Sequence, residues 1–166
     1  LAVPRLRPLV VAGLGLAPLP GLFLLPNAWG GAQSIALPGG WRLVIDQPGA
    51  LMLLASVLLW MIAGAAASRW LASRRDAGSF ALWWLLTLSG NLGVFVAGDL
   101  VSFYALYALA SLPAYGLITF EGGDSEQRAG RLTLAAALTG EGLVLTAFVL
   151  MAVGASGRGL EIPTVM

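Results

Sequence analysis

The sequence predicts an all-α fold: a polytopic transmembrane bundle of about five spanning helices, with a short external β-hairpin between the first and second. Three observations carry this expectation. Of 166 residues, 58% are hydrophobic and only 10% charged, against roughly 25% charged in a soluble domain. The apolar residues gather into five blocks near spanning length, four of which hold no charge; a surface helix of a soluble protein would keep one polar face. The arginines, finally, sort to one side of the predicted crossings. Residues 1–166 read as a single transmembrane domain, because five spans of about 20 residues leave only short loops.

The first block, Pro8–Leu25, is the odd one. Pro18 and Pro20, in LAPLPG, should kink or break it. A basic start before an apolar stretch also fits a signal segment. The prolines, and the lack of a clean small-x-small cleavage site, favour a span. The long loop 26–49 contains SIALPGGWRLVID. This reads as a hairpin: Ile35 and Leu37, a turn at Pro38, Gly39 and Gly40, then Trp41, Leu43 and Ile45 alternating with Arg42 and Val44. The competing reading is an unstructured external loop. Asp46 is placed to cap the helix that follows, with Pro48 in its first turn. That helix is read as Ala50–Ser68, where Gly64 and Ser68 mark a close helix contact. Ser79–Ala97, Leu100–Phe120 and Leu132–Gly154 complete the set.

Arginine placement sets the orientation. Arg5, Arg7, Arg69, Arg74, Arg75, Arg128 and Arg131 fall on one side of five crossings, and only Arg42 and Arg158 on the other. By the positive-inside bias the N-terminus is cytoplasmic and the C-terminus external. Trp60, Trp70, Trp83 and Trp84 then lie toward the cytoplasmic ends of their helices, where an aromatic belt is expected. Arginine without lysine, with abundant Ala, Gly and Leu, fits GC-rich bacterial coding, so the expected location is a bacterial inner (cytoplasmic) membrane.

Composition also excludes chemistry. With no Cys and no His, the chain offers no thiol catalysis, haem ligation, zinc finger or imidazole acid–base group. Its net charge is +1, with arginines scattered between apolar blocks, which argues against nucleic acid as a partner. No glycine-rich phosphate loop follows a strand, and no serine has a His or Lys base. No cofactor, no metal and no catalytic step are expected within this polypeptide.

Polar residues at depth stand out against this background. Glu141, in LTGEGLVL, lies near the middle of the last block. A charge there costs about 2.5–3.5 kcal/mol unless it is protonated, paired or hydrated. Glu141 is therefore a candidate proton or cation relay, or else a protonated structural tie between helices. In the fourth block Tyr104, Tyr107, Ala108, Ser111 and Tyr115 recur at spacings of three and four and share a face. That face could line a hydrated path or simply pack. Pro113 cannot donate to the carbonyl of Leu109, which leaves that oxygen available to a water, hydroxyl or ion. Asn91 and Ser89 add polar groups at depth in the third block. Asp99 stands at the boundary of the third and fourth, either as a helix-boundary residue or as a point where ions enter.

The string DLVSFYALYALASLPAYGLITF, residues 99–120, resembles a helix of the antiporter-like membrane subunits of respiratory complex I (NADH-quinone oxidoreductase), membrane hydrogenases and Mrp-type cation/proton antiporters. VIDQPGALMLLASVLLW upstream and RLTLAAALTGEGLVLTAFVLMAVGASG downstream resemble the flanking hairpin and helices of that family. The resemblance covers roughly residues 34–157. It implies a proton- or cation-translocating subunit working with other membrane subunits in a lipid bilayer, on protons or monovalent cations. Two departures qualify it. Many members carry an acidic residue where this chain has Ala108, after Tyr107. The chain also stops before the helix expected to bring a partner lysine, and so looks like the N-terminal portion of a longer subunit. Ala108 and Glu141 are offset in depth by only about 4–5 Å at 1.5 Å per residue. Glu141 is thus expected to take over the role left vacant at Ala108, oriented by Tyr104, Tyr107 and Ser111. The alternatives are a non-transporting structural subunit built on the same scaffold, or a small carrier acting as an oligomer.

Overall fold

The computed structural model describes residues 13–29, 33–37, 41–72, 74 and 76–154. Arg5, Arg7, Arg75, Arg158 and the predicted turn at 38–40 lie outside the described residues. The chain is mostly helical. A 3₁₀ segment, Leu19–Trp29, leads into strands β1 (Gln33–Leu37) and β2 (Trp41–Ile45), followed by α1 (Gln47–Leu71), α2 (Ala77–Val94), α3 (Leu100–Ser111), α4 (Ala114–Ile118) and α5 (Asp124–Gly154).

The first apolar block departs from expectation. Gly13 is helical, but the rest of its described part is not an α-helix: residues 14–18 form turns, and the 3₁₀ segment runs on to Trp29. Pro18, Pro20 and Pro26 each lack an N–H, so an i→i−4 ladder cannot run through them. The segment still crosses much of the bundle. At about 2.0 Å per residue, eleven residues of 3₁₀ helix reach about 22 Å. It lies antiparallel along α1, with Gly15 beside Gly64 and Ala65, and Gly21 beside Val57 and Leu53.

The hairpin forms, with Ile35 opposite Leu43 and Ala36 opposite Arg42 in antiparallel register. β2 does more than pair with β1. Its other edge meets the link between α2 and α3: Val44 N–H donates to the Val96 carbonyl (2.8 Å) and Gly98 N–H to the Arg42 carbonyl (2.8 Å). Immediately after β2, Asp46 caps α1, its Oδ1 accepting from Gly49 N–H at 2.8 Å.

Three stretches are long and apolar enough to cross a membrane: α1, the α3–α4 pair taken together (Leu100–Ile118), and α5. The 18-residue α2 is not among them, because Ser, Thr, Asn91 and several glycines dilute its apolar content. The fourth block, read as one helix to Phe120, is broken: α3 stops at Ser111 and α4 resumes at Ala114, on either side of Leu112 and Pro113. α5 starts eight residues earlier than its apolar block, so its first two turns are polar.

Burial is inverted relative to a water-soluble protein. On α5 only Gly130 and Glu141 are buried, while Leu138 and Leu143 are 53% and 68% exposed. An exposed apolar shell around a buried carboxylate is stable where the surroundings are themselves apolar. The interior holds an aromatic cluster. Trp60 meets Trp84 edge to face at 4.8 Å, Phe80 stacks on Trp84, and Phe120 and Trp70 close around Phe80. Trp60 and Trp84, expected in an outward belt, thus pack partly inward.

Candidate functional site

Three elements build the site. α3 and α5 pack together, and α2 supports α3 from behind. The support is close at Gly90, where a β-carbon would collide with the backbone of Leu109 and Ala110. Only glycine lets the two backbones meet there. This contact fixes the lower turn of α3, the turn that carries Ser111.

Glu141 is 6% exposed and accepts a hydrogen bond from the Ser111 hydroxyl, thirty residues away in sequence. The same hydroxyl lies 3.3 Å from the Ala108 carbonyl oxygen, one turn back on α3. That oxygen already accepts from Leu112 N–H at 3.0 Å. Next along the chain, Pro113 has no N–H, so the Leu109 carbonyl lacks its helical donor. Glu141 therefore meets α3 where its ladder ends. The Tyr107 hydroxyl lies beside Gly140, about 3.4 Å from where a β-carbon would stand.

The other predicted residues lie apart from this pair. Tyr104 is half-buried, and its hydroxyl makes no hydrogen bond with another described residue. Tyr115, on α4, packs its ring against Gly130, about eleven residues along α5 from Glu141. It also walls an open cleft of about 420 Å³ shared with Asp76, Ser79 and Thr119. Asn91 braces two helices: its Oδ1 accepts from the Ser56 hydroxyl (2.6 Å) and from Trp60 Nε1 (2.9 Å), both on α1. Ser89 is exposed and returns its hydroxyl to the Leu85 carbonyl.

Asp99 belongs to the hairpin end. It caps α3 and accepts from Ser102 N–H (2.8 Å), from the Ser102 hydroxyl (2.5 Å) and from Arg42 N–H on β2 (3.0 Å). Burial pushes its carboxyl up, but the bonds from Ser102, Arg42 and Val101 outweigh that and hold it below the usual aspartate range. At the opposite end, Arg74 pairs with Glu121 at 2.6 Å and lies over the Trp70 ring at 3.8 Å.

Sequence reasoning did not single out Ser102, Ser56 or Gly90, and placed Trp60 only in an aromatic belt. Asp99 and Ser102 are three apart at a helix start, a local capping signal that was there to be read. Ser56, Trp60 and Gly90 find their partners only through packing. Among the described residues no three acidic side chains come together to hold a metal ion. Compared with known proteins, the chain matches no family model and no curated protein.

Proposed function

We propose that this chain is part of a proton- or cation-translocating, antiporter-like subunit of a respiratory, hydrogenase or Mrp-type membrane complex, with Glu141 as the group that carries the ion. One observation supports this above the rest. The only ionisable acid in the apolar stretch of α5 is turned into the bundle, against a single serine hydroxyl, while the leucines around it face outward. Intramembrane acids in such positions mark ion pathways by default. The sequence resemblance adds the class of complex, and the arginine asymmetry adds a cytoplasmic N-terminus in a bacterial inner membrane.

In this reading Ser111 holds the ionised carboxylate by a charge-assisted bond, and burial between α3 and α5 keeps bulk water away from it. A proton that neutralises Glu141 removes the cost of a charge at depth. The driving energy comes from the partner subunits. Ala108, standing where related subunits carry an acid, favours the competing reading of a structural subunit that does not transport.

The test is Glu141→Gln in the assembled complex, reconstituted into vesicles and followed with a pH-sensitive dye. Proton translocation is expected to fall at least about tenfold, the range of a lost proton-transfer group. Assembly with undiminished translocation would overturn the proposal and leave the structural reading in its place.

A further inference from the structure

The Ser111 hydroxyl has one hydrogen and two acceptors within reach: Glu141, and the Ala108 carbonyl at 3.3 Å. It can serve only one at a time. The choice follows from the charge on Glu141. An ionised Glu141 has no hydrogen to give and attracts the hydroxyl hydrogen strongly. A protonated Glu141 becomes a donor to Ser111 Oγ, and the serine's own hydrogen is then directed back to the Ala108 carbonyl.

We infer that Ser111 is a positioning residue that converts the protonation state of Glu141 into a change in backbone hydrogen bonding at the α3–α4 break. The Ala108 carbonyl already serves Leu112 N–H at 3.0 Å. A second donor there competes with that bond, and back-bonding by serine loosens and bends a helix. The effect falls where the helix is weakest, since Pro113 has removed the next bond in the ladder. Each arrival of a proton on Glu141 thus loosens the last turn of α3, and each departure tightens it.

The pair has little competition. α2, α3 and α4 carry no acidic or basic side chain. Of their tyrosines, Tyr107 is the one beside Glu141's neighbour Gly140, and Tyr115 lies farther along at Gly130.

This inference rests on the proton-carrying role proposed for Glu141, but it is tested without transport. Glutamine at position 141 donates from its amide, as a protonated glutamate would. Amide hydrogen exchange at Leu112 is measured on the full chain in lipid nanodiscs for wild type, Glu141→Gln, Ser111→Ala, the double variant, and Ser111→Thr with and without Glu141→Gln. Glu141→Gln should speed Leu112 exchange several-fold in the wild-type background. It should do nothing in Ser111→Ala, and should act again in Ser111→Thr, which keeps the hydroxyl. Equal acceleration with and without the hydroxyl would overturn the inference, as would no acceleration in the wild-type background. If the exchange cycle holds while Glu141→Gln pumps normally, the transport proposal fails and the coupling stands.

Discussion

Among the described residues Asp99, Glu126 and Glu141 each bond to a serine, and the first and last of these are opposites. Asp99 sits at a helix start with several donors close by, among them the Ser102 N–H and hydroxyl and the Arg42 N–H from another element. Glu141 lies in mid-helix with one hydroxyl donor, reached from a different helix. A carboxylate with several donors is locked in its ionised form, because a proton would have to displace them. A carboxylate with one adaptable donor can be served in either state. In the proposed reading, the number of fixed donors is what separates the structural acid Asp99 from the ion-carrying Glu141.

Three experiments bear on that contrast. The largest effect is expected from Asp99→Ala, which removes the α3 cap, leaves the Ser102 N–H unserved and takes one of two acceptors from the Arg42 N–H. It should cost about 2 kcal/mol, read as a lowered midpoint of thermal unfolding in detergent. A loss near zero would mean that Asp99 is no more structural than Glu141.

Acid should produce a smaller effect. The lowered Asp99 carboxyl contributes stability that is full above the usual aspartate range and is lost as pH falls through its lowered value. Trp41, next to Arg42 on β2, reports whether the hairpin stays docked. Its fluorescence should step at that low pH in the wild type and lose the step in Asp99→Asn. The smallest effect is expected from Glu141→Leu. Replacing a singly bonded buried acid by an apolar residue of similar size removes a polar desolvation cost along with one bond. Thermal stability should stay within about 1 kcal/mol of wild type or rise. A large loss would place Glu141 among the structural acids.

How much of this was legible in the sequence depended on how local each feature is. The hairpin strands and the capped start of α1 were readable because period-two alternation and an Asp–x–Pro boundary are local signals. In the first block Pro18 and Pro20 were read as a kink or break, and over residues 14–29 the chain takes turns and a 3₁₀ segment in place of an α-helix. Pro113 was read as freeing one carbonyl; in the structure it also ends α3. Glu141 stood out by depth alone, and Ser111 by sharing a face with the tyrosines. That the two meet, and that Tyr104 and Tyr115 stay away, depends on the angle and offset between α3 and α5, which no periodicity encodes. The Arg42–Asp99 bond spans 57 positions and has no local trace.

The glycine contact between α2 and α3 has a mechanical consequence. Backbone pressed on backbone at Gly90 cannot yield as side chains do, so it fixes the separation of the two helices there. The stretch above it, from Ala110 back to Asp99, is pinned at its far end by the hairpin. Below it, residues 111–113 and the five-residue α4 are held on α2 as well, by Gly116 close against the Trp83 ring. Close glycine contacts thus flank the break between α3 and α4 on both sides.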